Sequence, residues 1–592
     1  MKTDKHDFLR VFDIVMYQQK KYPQQAALNY FVDRRWTSLS TAHIQQQIDS
    51  LSSWLIGQGF QKGDCVALIP KMGSPHWMMI DLACQQLGMV IVPIHPTSSA
   101  AEIKFILDET VTKICITADA QLYERVKTVS ALPLFHLEEE QPGFLSALSR
   151  HHQTHLLTDE LSKRKNSVSE MDVLSIMYTS GTSGTPKGAV LTHQNVVSNI
   201  KAILPLLPIN QGDRVLSFLP FSHIFERTSC YAYLAYGANI YFSQKLESIT
   251  SDFKTVRPLF CTCVPRTLER MYEILEEQRQ QKSILKKKLV TWAMKIGEQF
   301  KSEQQSDWLF GLKLLIAQLL VLNKWKYRLG GKMKYMVVGA AALRPEIGRL
   351  FSAAGVMTLS GYGMTEASPF ISVNRPEPGM NKFGTVGLPL PGIGIILDEV
   401  NENNEGEILV KGPNIMQGYF KRPELNKEVF TEEGWFRTGD VGKLASKRFL
   451  TITDRKKDIF KTSSGIYIAP QPLERHLAAS PFISQCLIIG FNKTFVSAII
   501  VPHFALLQIW CEENGIHWTA PQFMVHNIKV IQKMQREVDE RNAMLQNYQR
   551  VQKFILGETN WTVESGELTA SFKIIRANLI ENYKREIEKL YS

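Results

Sequence analysis

Eleven residues, Tyr178-Thr-Ser-Gly-Thr-Ser-Gly-Thr-Pro-Lys-Gly188, constrain this chain more than any other stretch. The apolar run Val173-Leu-Ser-Ile-Met177 precedes them, and Ala189-Val-Leu191 and His193 follow. A buried strand that opens into small residues, glycines and one lysine can wrap its backbone N–H groups around a polyphosphate. Hydroxyls at Thr179, Ser180, Thr182, Ser183 and Thr185 add donors at no steric cost, Gly181 and Gly184 make room, and Lys187 adds a charge. It is not a Walker A loop, because Lys187 follows Pro186 and precedes Gly188, so the Gly-x4-Gly-Lys-Ser/Thr spacing fails.

Around this loop, short apolar runs alternate with amphipathic segments. Strands are predicted at Cys65–Ile69, Val90–Pro93, Ile114–Ile116, Arg214–Leu219, Asn239–Phe242, Met333–Val338 and Gly355–Leu359, with helices His76–Leu87 and Ala100–Leu107 among them. Such alternation marks βαβ units and a mostly parallel sheet, so the fold class is α/β: a large N-terminal multi-layer α/β domain with a small mobile C-terminal α+β domain. The texture changes after Gly442, which puts the boundary near residue 455 and divides the chain into 1–454 and 455–592. The larger part carries a helical insertion at about 264–329, and a charged C-terminal helix is expected over Ala577–Leu590.

Four further stretches have chemistry in them. In Gly361-Tyr-Gly-Met-Thr-Glu-Ala-Ser368 the glycines, Gly363 among them, allow close backbone approach to a planar ligand. Tyr362 offers a stacking face, Thr365 a hydroxyl, and Glu366 a hard oxygen suited to Mg²⁺ beside phosphates. Trp435-Phe-Arg-Thr-Gly-Asp440 ends on a carboxylate that is either a turn cap or an acceptor for a ribose diol. Thr453-Asp-Arg-Lys-Lys-Asp-Ile-Phe-Lys461 is a charge run, ordinarily a solvated face, and flexible Ser463-Ser464-Gly465 follows it. In Glu567-Leu-Thr-Ala-Ser-Phe-Lys-Ile-Ile-Arg576 a lysine could stabilise an acyl-phosphate transition state.

Taken in order along the chain, these stretches resemble the adenylate-forming superfamily of acyl-CoA synthetases, luciferases and peptide-synthetase adenylation domains. The Asp-Arg-Lys-Lys-Asp hinge, the Glu-Leu-Thr-x3-Lys ending and the long insertion are most similar to long-chain fatty acyl-CoA synthetases. The resemblance implies ATP, Mg²⁺ and CoA as reactants, with Thr179 and Glu366 on the metal and the 178–188 loop on the phosphates. It gives Asp440 and Arg455 to the ribose, Lys457 to the pivot, and Lys461 and Gly465 to the thioester-forming orientation. Lys573 aligns with the family's catalytic C-terminal lysine, although Ala570-Ser571-Phe572 replaces the usual Pro-Thr-Leu. His223, in Phe221-Ser-His223, resembles the carboxylate guard, and Gly339 opens Gly339-Ala-Ala-Ala342 where relatives carry Gly-Gly-Ala.

The implied reaction is activation of a long-chain fatty acid through acyl-AMP, then transfer to CoA. Transfer to a carrier-protein phosphopantetheine and a catalytically dead nucleotide- or lipid-binding relative are the alternatives. The net charge of +11 suits an anionic partner such as nucleotide, CoA or a phospholipid surface. No recognition-helix, zinc-finger or RNA-binding signature accompanies it, so nucleic acid is not expected.

Eight cysteines without a Cys-x2-Cys pair are expected as buried free thiols, which suits a reducing, cytoplasmic setting. Met1–Asp7 lacks an apolar signal core, and the greasiest piece, Leu309–Leu322, is shorter than a membrane span and carries Lys313. Peripheral contact with the inner face of a membrane is left open by the lysines of the insertion, as is a homodimer. His151, His152 and His155, in a polar connector over Arg150–Ser169, are read as part of a solvated linker.

Overall fold

The computed structural model describes residues 8–137, 158–179, 186–280, 283–302, 308–446, 448–563, 565–569 and 573–592. Ser180, Gly181, Thr182, Ser183, Gly184 and Thr185 lie outside the described residues, as do His151, His152, His155 and Ala570–Phe572.

Two large sheets carry the N-terminal part. One has seven strands in the order Gly418–Tyr419, Lys187–Thr192, Val173–Thr179, Val90–Pro93, Cys65–Ile69, Ile114–Thr117 and Leu134–His136. Its centre is parallel, with Cys65–Ile69 between Val90–Pro93 and Ile114–Thr117. The other has nine strands, Leu388–Pro389, Phe370–Val373, Met357–Gly363, Tyr335–Val338, Phe260–Cys263, Arg214–Ser217, Asn239–Phe242, Leu28–Val32 and Arg35–Leu39. The Val/Ile/Leu runs at the centre of the first sheet are buried along their whole length, as strands covered on both faces must be.

Helices Pro75–Gln86, His193–Ile203 and Ile224–Tyr236 are buried on most sides, and the largest hydrophobic cluster joins them to strands of both sheets. A helix that is covered all round belongs in the middle of a layered core. Helix Ile224–Tyr236 nevertheless carries two adjacent charges. Arg227 grips Asp81 of helix Pro75–Gln86 through two hydrogen bonds of 2.7 and 2.6 Å and donates to the Ser175 hydroxyl at 2.9 Å. Both ionic side chains are shielded from water, at 1% and 0% exposure. Ser175 lies on the strand that leads into the 178–188 loop, so this buried pair fixes the base of the loop.

The polar connector differs from its sequence reading: Thr158–Ser167 is helical, anchored by buried Leu161 and by an Arg164–Glu160 ion pair at 2.8 Å. The insertion contains helices Pro265–Gln280, Ile284–Glu298 and Trp308–Ala317, the last continued by a wider turn Gln318–Leu322 and by Asn323–Arg328. Helix continues from Trp308 to Arg328, 21 residues, long and apolar enough by composition to cross a membrane. The apolar run Leu309–Leu322 is only about the first two-thirds of that helix, because the polar residues after Leu322 remain helical. The expected C-terminal helix is two, Arg576–Asn582 and Lys584–Tyr591, because Tyr583 leaves helical geometry.

A four-stranded antiparallel sheet, Gly394–Asp398, Gly406–Lys411, Phe436–Ala445 and Phe449–Arg455, follows the two large ones. Beyond it lie the short hairpin Phe460–Lys461/Tyr467–Ile468 and a three-stranded sheet of Ile483–Ile489, Val496–Pro502 and Val551–Leu556. This C-terminal part has a core of its own, which starts at Ile468 and includes Leu473, Ile500, Leu507 and Met534. All eight cysteines are buried free thiols.

Candidate active site

The 178–188 stretch bridges two antiparallel strands, Val173–Thr179 and Lys187–Thr192, with Thr179 opposite Lys187. Gly188 has to be glycine: a Cβ there would come within 2.7 Å of Ile176 and 3.1 Å of the Tyr178 ring. Strand Gly418–Tyr419 pairs with the outer side of this hairpin and sets Tyr419 opposite Ala189. The Lys187 ammonium lies 5.8 Å from the centre of the Tyr419 ring, and the Tyr419 hydroxyl donates to Glu366 Oε1 at 2.8 Å. Thr179 thereby stands on the same hairpin as the lysine, and Glu366 is tied to it through one tyrosine.

Glu366 occupies a single turn, Thr365–Ala367, after the strand Met357–Gly363, and is 6% exposed. Its Oε2 takes no hydrogen bond among the described residues. A buried carboxylate oxygen with free lone pairs fits a hard divalent cation that keeps water and phosphate oxygens as its other ligands. The Thr365 side chain is half-buried beside it. Gly363 permits the turn, since a Cβ would sit 1.9 Å from the carbonyl oxygen of Pro369.

Asp440 and Arg455 are direct partners across the ladder of Phe436–Ala445 and Phe449–Arg455. Asp440 Oδ1 faces Arg455 Nε at 3.2 Å, and its Oδ2 accepts from the Tyr362 hydroxyl at 2.7 Å. Burial, then the Asp440 charge, pushes the Tyr362 phenol well up, so it stays a donor. A carboxylate and a guanidinium held side by side at the rim present an acceptor and donors together, as a vicinal diol requires.

Lys573 enters from the C-terminal part. It sits on an antiparallel turn: Leu568 bridges Ile574, Thr569 N–H donates to the Lys573 carbonyl at 2.7 Å, and Lys573 N–H donates to the Thr569 hydroxyl at 3.0 Å. Arg576 locks the base of that turn through Glu474 at 2.7 Å and Asp458 at 3.5 Å. The Lys573 side chain is exposed to water yet crowded by protein, within charge range of Arg455, Asp440, Glu366 and His223. Partial desolvation, then Arg455, lowers its pKa against the opposing pull of Asp440 and Glu366.

His223, at the start of helix Ile224–Tyr236, completes the cluster. Burial, and after it the Lys573 charge, lowers its pKa to about 4, so the ring is neutral at ordinary pH. His95 lies beside it, ring centres 5.0 Å apart, with its own pKa lowered to about 3 by burial and then by His223. Gly339 is nearby in the sense that a Cβ on it would touch the Phe225 ring at 3.0 Å. Ala340 takes a left-handed φ of +67°, the conformation that a second glycine would adopt freely.

The structure thus brings Thr179, Lys187, Tyr362, Gly363, Thr365, Glu366, Asp440, Arg455, Lys573 and His223 into one cluster of linked neighbours. It does not bring Lys461, Gly465 and Lys457 there. Lys461 is exposed, its ammonium 4.4 Å from the Tyr467 ring centre, and Gly465 makes the turn of that hairpin at φ +82°. Lys457 is exposed in the turn after Arg455.

Sequence reasoning missed Tyr419 and His95. Tyr419 has no motif around it, and its contact with Glu366 spans 53 residues. His95 follows the buried strand Val90–Pro93 at the sheet's carboxyl edge, and that position was the available signal.

Residues 15–420 match the family of AMP-binding enzymes, and residues 457–592 match the AMP-binding enzyme C-terminal domain. Among curated proteins the chain is similar to the long-chain-fatty-acid–CoA ligase FadD15 of Mycobacterium bovis, 28% identical over 99% of this chain and 97% of that one. It is also similar to long-chain-fatty-acid–CoA ligase 6 of Homo sapiens, 31% identical over 91% of this chain and 81% of that one. Among solved structures, the adenylation domain of a carboxylate reductase from Mycobacterium chelonae superposes with a TM-score of 0.74 at 22% identity, covering 99% of this chain and 92% of that one. With the motifs in order and relatives matching nearly end to end, the chain belongs to the AMP-binding, adenylate-forming enzymes, in the family of the long-chain acyl-CoA synthetases.

Proposed function

We propose the following residue-level route for a ligase that joins a long-chain fatty acid to CoA at the expense of ATP. Lys187 and the loop before it hold the β- and γ-phosphates, Tyr362 stacks on the base, and Asp440 with Arg455 takes the ribose hydroxyls. Asp440 would exchange its Tyr362 and Arg455 contacts for the diol. Mg²⁺ would be held by Glu366 and Thr179, where it offsets phosphate charge.

The carboxylate enters past His223, whose neutral ring can donate one hydrogen bond to it. One carboxylate oxygen attacks the α-phosphorus, the bond to the β-phosphate oxygen breaks, and acyl-AMP and pyrophosphate form. Lys573 neutralises the incoming carboxylate and the leaving pyrophosphate, which is where positioned charge does most for a phosphoryl transfer.

In the second half-reaction the thiolate of CoA attacks the acyl carbonyl and expels AMP. We assign the domain boundary to the turn near Arg455, with Lys457 as pivot. Rotation there would withdraw Lys573 and bring in Lys461 and Gly465, which is consistent with their present exposure on the outer hairpin. Peripheral contact with a membrane belongs to the same reading, since the acid partitions into lipid.

The observation that carries this route is the position of Lys573, just before the last two helices and within charge range of Glu366, Asp440 and His223. Pyrophosphate release with acids of graded chain length, with and without CoA, tests it. Turnover with a long-chain acid that is sustained only with CoA and collapses in Lys573→Ala supports the route. Release that stalls near one equivalent despite CoA points to a carrier-protein acceptor, and no release with any acid refutes it.

A further inference from the structure

The helical insertion is apolar on two opposite sides. Helix Trp308–Arg328 seats Ala317, Val321, Leu322 and Trp325 against Ala293, Met294 and Ile296 of helix Ile284–Glu298 and against Leu350 and Ala353. Its other side carries Trp308, Leu312, Leu315, Ile316, Leu319 and Leu320, all exposed, at 73, 49, 51, 40, 67 and 46%. Steps of three and four residues put these on one stripe. An exposed, contiguous apolar stripe of this size is a contact surface rather than ordinary scatter.

The charge beside the stripe is predominantly basic. Residues 283–328 hold nine basic side chains against three acids, Glu298, Glu303 and Asp307. The preceding helix is different: its Arg266, Arg270 and Arg279 each pair with a glutamate of the same helix. Lys286, Lys288, Lys295, Lys313 and Lys324 are exposed and make no ion pair among the described residues. Ile284 and Leu285, 74 and 81% exposed, stand next to the first of these lysines.

We propose that this face docks on the anionic surface of a lipid bilayer, with helix Trp308–Arg328 lying in the headgroup layer. The occupant is fixed by complementarity: apolar side chains flanked by unpaired lysines match acyl chains flanked by phosphates. The helix lies on the membrane and does not cross it, because Ala317, Val321, Leu322 and Trp325 are committed to the protein. The inference does not depend on which acid the enzyme activates.

Flotation of the full chain with vesicles of phosphatidylcholine alone, or with a third phosphatidylglycerol, tests this. Wild type is expected to bind the anionic vesicles at least about tenfold more tightly, and added salt to weaken that binding. Leu315→Asn/Leu319→Asn and Lys286→Glu/Lys288→Glu should each lower it by about tenfold or more. Both pairs are exposed, so unfolding midpoints and pyrophosphate release with a short, soluble acid should match wild type. Vesicle binding unchanged in both variants would overturn the proposal. So would a wild type that ignores vesicles and instead sediments as a dimer, with Leu315→Asn/Leu319→Asn sedimenting as a monomer.

Discussion

Lys573 is effective only while charged, and its surroundings pull its pKa below that of a free lysine. The basic limb of kcat/KM for the acid, which reports the free enzyme, should therefore fall below the ordinary lysine range. In Lys573→Arg, where the charge cannot be lost, that limb should disappear even if the rate is lower. The acidic limb should not come from His223, which stays neutral down to about pH 4. Ala340 makes a second residue-scale prediction: held at φ +67°, it should gain about 1 kcal/mol on Ala340→Gly, read from urea unfolding.

The sequence showed both positions differently. Lys573 stood out by its motif, whereas the strain at Ala340 is a backbone angle that no composition encodes. Tyr419 and His95 were hidden because their partners come from distant segments, and only folding sets them side by side.

Among the elements, helix Ile224–Tyr236 is the most informative. Glu226 is fully buried and accepts hydrogen bonds from Ser217 at 2.6 Å and Thr262 at 2.7 Å, yet burial raises its pKa from 4.5 to about 7. A carboxyl whose folded pKa is raised contributes its stability below the unfolded value and loses it as pH rises through the folded one. Wild type should lose about 3 kcal/mol between about pH 5 and about pH 8 from this group, and Glu226→Gln should flatten that slope. Arg227→Met would leave Asp81 in the core without its counter-ion, held only by Gln85 and Tyr231, at a cost of about 3–5 kcal/mol, seen as a lower unfolding midpoint.

Sequence reasoning passed over Glu226-Arg227, because their partners Asp81 and Thr262 lie on other elements. The strands were more legible: Cys65–Ile69 is buried along its whole length and therefore apolar throughout, and Asn239–Phe242 alternates half-buried and buried residues, so both fall where the sequence pattern put them. Sheet order was not, because hydrophobic periodicity carries no register between strands.

For the whole molecule, the central claim is that one cleft serves two reactions, and that Lys573 belongs to the first alone. Fold class and motif order could be read from the chain itself; the placement of Lys573 among Glu366, Asp440 and His223 of the large part needed coordinates.

The most direct measurement gives Lys573→Ala a preformed palmitoyl-AMP with CoA, and separately palmitate with ATP. Pyrophosphate release should drop by about 10²–10³, while thioester formation from the adenylate stays within about threefold of wild type. Equal losses in both reactions would mean that Lys573 is not confined to the first step and would contradict the account.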